Sequence, residues 1–293
     1  MTVKALPNPA KRRAYPSSVD AKYTVDAVDK AMVVLMTVAR EPDLGLSEIA
    51  RRSGELKART FRLLRTLEAR GMVVCRESDR TYRLGYNALA LGGLARRQVE
   101  LFQRARPVLM RLGRDVVETI QLRVRDGDQT MCIASWEPAR DTKVRAQIGC
   151  HRPIHAGSGK LFLAHCDEDF QDRILSLPLL RLTERTTVDP DDLRRQLATI
   201  NRQGYAITQG EVETGYVSIC APVFGADGQM VAAINVASPQ DRMASDEVAR
   251  IVPLVKAAAR TLSTALGWRM GGGDRARPES IGPNPVCRPP VKP

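Results

Sequence analysis

Aromatic side chains are scarce in this sequence, and the shortage narrows its partners before any motif is read. Phe, Trp and Tyr make up 4% of 293 residues. Binders of RNA and single strands rely on aromatic platforms for base stacking, so a nucleic-acid partner would better be duplex DNA. Long apolar runs are also missing. No stretch reaches the roughly 18 residues that a membrane helix needs. The N-terminal segment has no apolar core followed by a small-residue cleavage site, so no secretory signal is read there. No CxxC pair occurs. Cys75, Cys132, Cys150, Cys166, Cys220 and Cys287 are scattered, which fits reduced thiols in the cytoplasm and not a disulfide framework.

Signatures of catalysis are lacking too. There is no nucleophile elbow, HExxH or dinucleotide fingerprint, so neither an enzyme nor a cofactor is expected. Gly157-Ser158-Gly159-Lys160 looks superficially like a phosphate loop. Such a loop needs a glycine where this chain has Ile154 and a Ser or Thr where it has Leu161. His151, His155, His165, Cys150 and Cys166 fall close together without zinc spacing or a carboxylate fixed nearby. They read as structural residues, and no metal is expected.

What the chain does have is positive charge. Lys and Arg number 45 against 33 Asp and Glu, a net charge of +12. Such an excess favours an acidic partner, with DNA the commonest, although a merely soluble basic protein would show it too. The 43% apolar and 27% charged content is that of a globular protein, and the length suggests two domains. Residues 1–24, with Pro7, Pro9, Lys11, Arg12, Arg13 and Pro16, read as a flexible basic arm. Residues 271–293 are rich in Gly and Pro and read as a disordered tail. Between them we expect a DNA-binding domain over 25–87, a helical linker over 88–101 and a second domain over 102–270.

The first block reads as three helices and a hairpin. Val28, Met32, Leu35 and Val38 recur at helical spacing and predict an amphipathic helix over Val25–Arg40. Ser47 is placed to N-cap a second helix, Glu48–Ser53, with Gly54 as its stop. A third runs from Lys57 to Arg70 and ends at Gly71. Two helices around a glycine turn form the helix-turn-helix pattern. On a helical wheel of the third helix, Thr60, Leu63, Leu64 and Leu67 share one arc, and Ala58, Arg59, Arg62, Arg65 and Thr66 the other. The second arc presents guanidiniums suited to guanine edges or phosphates, or else an ordinary solvated face. Met72–Arg76 and Arg80–Leu84, joined by Glu77-Ser78-Asp79, predict a wing with Arg80 at its tip. The DNA-contacting candidates are Ser47, Lys57, Ala58, Arg59, Thr60, Arg62, Arg65, Thr66 and Arg80. Tyr86–Arg106, rich in helix formers despite Gly92 and Gly93, predicts a helical linker.

Leu46-Ser47-Glu48-Ile49-Ala50, Arg62-Leu63-Leu64-Arg65-Thr66-Leu67, Gly71 and Tyr82-Arg83-Leu84-Gly85 resemble the IclR family of bacterial transcriptional regulators. That family usually carries a hydroxyl pair where this chain has Ala58-Arg59, so no operator sequence carries over.

The second block alternates strands and helices. Thr119–Val124 and Gln129–Ser135 flank Arg125-Asp126-Gly127-Asp128, a hairpin signal. Val144–Ile148 is a further strand candidate, and a helix is expected from Gly159 through Ala164. Asp189 and Pro190 start a helix that Gly204 stops. Tyr205–Thr208, Ser218–Phe224 and Met230–Ala237 read as strands, the last two joined by Ala226-Asp227-Gly228. A helix over Ser245–Leu266 closes the domain. This is an α+β domain with an antiparallel sheet.

The resemblance extends here through Pro153-Ile154-His155-Ala156, Gly159-Lys160-Leu161-Phe162-Leu163-Ala164, Arg202-Gln203-Gly204-Tyr205, Glu211, Gly215, Ala221-Pro222-Val223 and Ser238-Pro239. It implies a GAF-like sensor domain that binds small metabolites, often carboxylates, with a His155–Lys160 loop one residue shorter than usual. Its implied effector-site residues are Arg152, His155, Ala156, Gly157, Ser158, Thr208, Gln209, Glu211, Ser218, Asn235 and Ala237. Free backbone N–H groups at Gly157-Ser158-Gly159 and a guanidinium from Arg152 or Arg145 would suit an anion. The resemblance further implies a homodimer or homotetramer acting on an operator in double-stranded DNA, with a small-molecule effector. An effector-independent or metal-responsive repressor, and a protein that coats DNA without sequence preference, stay open as alternatives.

Overall fold

The computed structural model describes residues 24–269. The expected arm, apart from Thr24, and the expected tail lie outside the described residues. Contacts within the chain cluster into two units that divide between Val99 and Glu100. No helix among the described residues is long and apolar enough to cross a membrane.

The first unit runs α1 (Asp26–Arg40), β1 (Leu44–Gly45), α2 (Leu46–Ser53), α3 (Lys57–Ala69), β2 (Val73–Arg76), β3 (Thr81–Leu84) and α4 (Tyr86–Gln98). Val34, Leu35, Val38, Ile49, Leu64, Leu67, Val73 and Tyr82 form its core. The buried stripe of α1 is Val34, Leu35 and Val38, whereas Val28 and Met32 are exposed, contrary to the expected stripe. Only the C-terminal half of α1 has core beneath it. Gly54 takes the left-handed conformation (φ 74°) and its N–H returns to the Ala50 carbonyl, as its place after α2 predicts. The cap of α2 differs from expectation. Gly45 is the N-cap, Ser47 lies inside the helix, and no side-chain cap bond forms. The cause is β1, which pairs Leu44 with Tyr82 and Gly45 with Thr81 and delivers the chain into the helix in extended form.

In the wing, β2 and β3 pair antiparallel, and β1 joins on the other side of β3. Asp79 accepts from both the Thr81 amide and its hydroxyl, closing the turn. A Cβ on Gly85 would run into the Gly71 carbonyl, since the Gly85 amide bonds to Met72 O at 2.9 Å. The expected helix over Tyr86–Arg106 is two helices. Val99 leaves the helix with ψ 102°, and α5 (Glu100–Val116) begins immediately after it. A β-branched residue loses little by adopting extended backbone there.

The second unit is built on a six-stranded antiparallel sheet. Its strands are β4 (Thr119–Asp126), β5 (Gln129–Trp136), β6 (His151–Pro153), β7 (Ala206–Gln209), β8 (Tyr216–Phe224) and β9 (Met230–Pro239), in the order β6-β5-β4-β9-β8-β7. Side chains alternate across the sheet. Ile120, Leu122, Ile219, Ile234 and Val236 pack one face against α5 and the long helix α9 (Ser245–Ala265). Ala206, Cys220 and Ala233 pack the other face with α6 (Gly159–Ala164), α7 (Glu168–Leu175) and α8 (Pro190–Gln203). The start and stop of α8 follow its local signals. The Asp189 carboxylate accepts the Asp192 amide at 2.8 Å, and Gly204 has φ 71°.

Val144–Ile148 is not a strand. The Thr119 hydroxyl takes the Val144 carbonyl at 2.6 Å and the Glu137 carboxylate takes the Ala146 amide at 2.9 Å. Side chains thus replace the ladder that the apolar run suggested.

Candidate nucleic-acid interface and effector cavity

The outer face of α3 is cationic. Lys57, Ala58, Arg62, Arg65 and Thr66 are exposed, as is Ser47 on α2. Arg65 is paired with Glu68 at 2.8 Å, and Arg59 is tied to Asp26 and, at 3.6 Å, to Glu55. Among the described residues Lys57 and Arg62 have no ion-pair partner, nor does Arg80, whose backbone turns to φ 56° at the wing tip. Thr60 is the exception among the candidates. It is fully buried, and its hydroxyl donates to the Leu56 carbonyl at 3.1 Å, so it cannot meet DNA. Its place on the leucine arc of the wheel is the physical reason. Arg83 was missed by sequence reading. Strand alternation puts Tyr82 inward and Arg83 outward, where it is exposed.

A second site lies in the second unit, on the α6/α8 face of the sheet. It is a cavity of about 160 Å³, and Arg152, Gly157, Ser158, Thr208, Glu211, Ser218, Asn235 and Ala237 all line it. Three of the expected residues stand elsewhere. Gln209 follows Thr208 on a strand and therefore faces the opposite way. Ala156 is fully buried. His155 is buried with its ring Nε2 3.0 Å from the Leu180 carbonyl, and burial lowers its pKa.

The loop into α6 differs from the expected nest of free amides. Gly157 N–H donates to Glu211 Oε2 at 3.0 Å, while the amides of Gly159 and Lys160 close turns onto Ala156 and Gly157. The other Glu211 oxygen receives the Lys160 ammonium at 2.6 Å. Lys160 is buried and also reaches Gln196 at 2.6 Å and Thr187 at 3.3 Å. Burial lowers its pKa, and the Glu211 carboxylate opposes that shift. A Cβ on Gly159 would meet the Pro153 and Ile154 carbonyl oxygens at 2.5 and 2.7 Å, so this turn admits only glycine.

Sequence reading also missed Arg123, Gln121, Gln147, Cys150 and Tyr216, which line the same cavity. A signal existed, because Gln121, Arg123 and Arg125 alternate with Ile120, Leu122 and Val124. Such alternation normally marks a solvated face, yet here Arg123 is only 4% exposed. It donates to Thr130 Oγ1 at 3.1 Å, Thr130 O at 2.9 Å and Cys150 O at 3.3 Å.

The three histidines hold separate partners. His151 meets Asp126 at 2.7 Å, His155 the Leu180 carbonyl and His165 the Leu161 carbonyl. No metal-competent group of three or more His, Cys, Asp or Glu exists among the described residues. Burial raises the pKa of Cys132 and Cys166 and pushes Cys220 up to about 12, so these sulfurs stay protonated thiols.

Comparison with known proteins covers both units. Residues 27–76 match the IclR helix-turn-helix domain, and residues 94–264 match the family described as bacterial transcriptional regulator IclR C-terminal. The HTH-type transcriptional regulator BhcR of Paracoccus denitrificans is 32% identical over 86% of this chain and 91% of its own length. The crystal structure of a putative IclR transcriptional regulator from Silicibacter sp. is 32% identical with a TM-score of 0.74, covering 84% of this chain and 98% of that one. An IclR homologue from Microbacterium hydrocarbonoxydans, complexed with 4-hydroxybenzoate, is 26% identical with a TM-score of 0.71, covering 82% of this chain and 98% of that one. BhcR and the Silicibacter protein both carry the name transcriptional regulator. With a cationic recognition helix in one unit, a polar cavity in the other, and family matches spanning both, this chain belongs to the IclR family of bacterial transcriptional regulators.

Proposed function

We propose that the protein is an effector-responsive, sequence-specific regulator of a catabolic or metabolic operon, and that its effector is a small anionic metabolite. The observation that carries the effector reading is the pair Arg123 and Arg152. Both line the cavity, and neither has a carboxylate partner among the described residues. Buried charges are normally paired, so a guanidinium left without its counter-charge favours a ligand that supplies one. The carboxylate named in the Microbacterium homologue supports the same chemistry.

On the DNA side, α3 would enter the major groove with Arg62 at its centre, flanked by Lys57, Arg65 and Thr66. Arg80 and Arg83 of the wing would reach flanking backbone. Helix-turn-helix readers use paired half-sites, which asks for a dimer. Tyr86, Leu89, Leu91 and Leu94 on α4 are all exposed, and large apolar side chains left uncovered on one helix support a second copy. The effector acts only if it binds one arrangement of sensor and reader more tightly than another.

Footprinting on the DNA flanking the protein's own gene tests this. We expect a bounded footprint that a carboxylic acid alters, and an Arg62→Ala variant that binds about 1–3 kcal/mol more weakly. Uniform coating governed only by salt would instead favour the nonspecific reading. A footprint indifferent to every acid would favour an effector-independent repressor.

A further inference from the structure

A chain of side-chain hydrogen bonds crosses the floor of the cavity. The Ser218 hydroxyl donates to Asn235 Oδ1. Asn235 Nδ2 donates to Gln121 Oε1 at 3.3 Å, and Arg123 Nη1 donates to that same oxygen at 3.4 Å. These residues sit on the adjacent strands β8, β9 and β4.

Arg123 sets the polarity of this chain. A guanidinium can only donate, so the Gln121 atom facing it is the oxygen. Asn235 must then offer its NH₂ to that oxygen and turn its own oxygen to the Ser218 hydroxyl. Gln121 Oε1 thus takes two donors within the floor and Asn235 Oδ1 takes one. The N–H groups left over are Gln121 Nε2, the second Asn235 N–H, the last Nη1–H of Arg123 and the Arg152 guanidinium, beside one lone pair on Asn235 Oδ1 and those of the Ser218 hydroxyl. Donors outnumber acceptors on this floor, which favours a ligand rich in acceptors.

The charges point the same way. Arg152 pairs with Thr130 across β5 and β6, and Thr130 is the residue to which Arg123 bonds, so both arginines stand on the same face of the sheet and line the same cavity. Burial is the largest influence on Arg123 and depresses its pKa, with the Arg152 charge pushing the same way. Arginine nevertheless stays protonated at neutral pH. Arg145 also lines the cavity, and the carboxylates there are Glu211 and Glu213. Lys160 neutralises Glu211. Three guanidiniums therefore face one remaining carboxylate, an excess of two positive charges.

We propose that the cavity is built for a compact dianion, a short dicarboxylate with one carboxylate between Arg123 and Arg152 and the other at Arg145. This rests on the anionic-effector reading above and narrows it. The volume of about 160 Å³ equals about five waters of liquid, room for a chain of about four to six carbons.

Isothermal titration calorimetry on the full-length protein tests it with succinate, glutarate and adipate against butyrate, pentanoate and hexanoate. Benzoate and 4-hydroxybenzoate complete the panel. At least one dicarboxylate is expected to bind about tenfold or more tightly than the monocarboxylate of equal length, a preference of about 1.4 kcal/mol. Arg152→Met, at a half-buried position that tolerates the change, should bring that ratio close to one. Arg123→Lys keeps a donor-only cation and should retain part of it. Equal or tighter binding of monocarboxylates would overturn the dianion inference and leave the anionic reading standing. An undiminished ratio in Arg152→Met would overturn the arginine pair as its cause. A blank across all eight acids would overturn both.

Discussion

Replacing Lys160 with methionine isolates the buried ion pair that holds the cavity loop to α8. The side chain is 1% exposed, and methionine fills nearly the same volume, so little packing is lost. What disappears is the ammonium and its bonds to Glu211, Gln196 and Thr187. Glu211 would keep the Gly157 amide but lose its cation while remaining mostly buried. Removing one partner of a buried pair costs about 3–5 kcal/mol. Glu211 retains some contact with water, so the lower end, about 3 kcal/mol, is expected here. In a unit of this size that corresponds to a Tm lower by roughly 6–12 °C. Intrinsic fluorescence suits the assay, because the two tryptophans, Trp136 and Trp268, both lie in the second unit and report on it alone. Adding Glu211→Gln removes the orphaned charge and keeps an acceptor for Gly157, so the double variant should recover most of the loss. A fall of less than about 2 °C in Lys160→Met, or a double variant no better than the single, would refute the reasoning.

Stability should also fall on mild acidification. Burial holds the pKa of His155 and His165 below the usual 6.5, so below that pH the unfolded chain takes up protons that the folded one does not. The contribution is complete above about pH 6.5 and is lost as pH drops through the folded values. Fluorescence-detected melting at pH 7.5 and pH 5.5 should show a lower Tm in acid, and an unchanged Tm would count against the neutral burial of these rings. In the first unit, Gly85→Ala drives a methyl into the Gly71 carbonyl and should cost about 3 kcal/mol, read as lost helical circular dichroism on heating and weakened DNA retention. A variant as stable as the parent would show that the turn at Gly71 can move aside.

Much of the architecture was legible because its signals are local. Gly54 and Gly204 end helices where a left-handed residue is required, and the Asp189-Pro190 start of α8 needs only the next turn for its cap. The turn at Gly127 between β4 and β5 is of the same kind. Even α7, which went unread, carried a local mark, since the Asp167 carboxylate accepts the Phe170 amide at 2.7 Å. Periodicity separated the leucine arc of α3 from its arginine arc, and the same wheel already placed Thr60 among the residues that turn out to be buried.

The sequence by itself therefore determined most of the helices and strands, the cationic helix and the membership of a regulator family, because their signals lie in neighbours a few positions away. Tertiary structure alone decided the rest. Strand β1 moved the cap of α2 from Ser47 to Gly45, and Thr119 and Glu137 held 144–148 out of the sheet. Most of all, the fold placed Arg123 within the protein, in the cavity that Arg152 also lines and without an ion pair to a carboxylate among the described residues. An arginine in an alternating strand looks solvated until the layers on both faces of the sheet are known, because burial is set by segments a hundred residues apart.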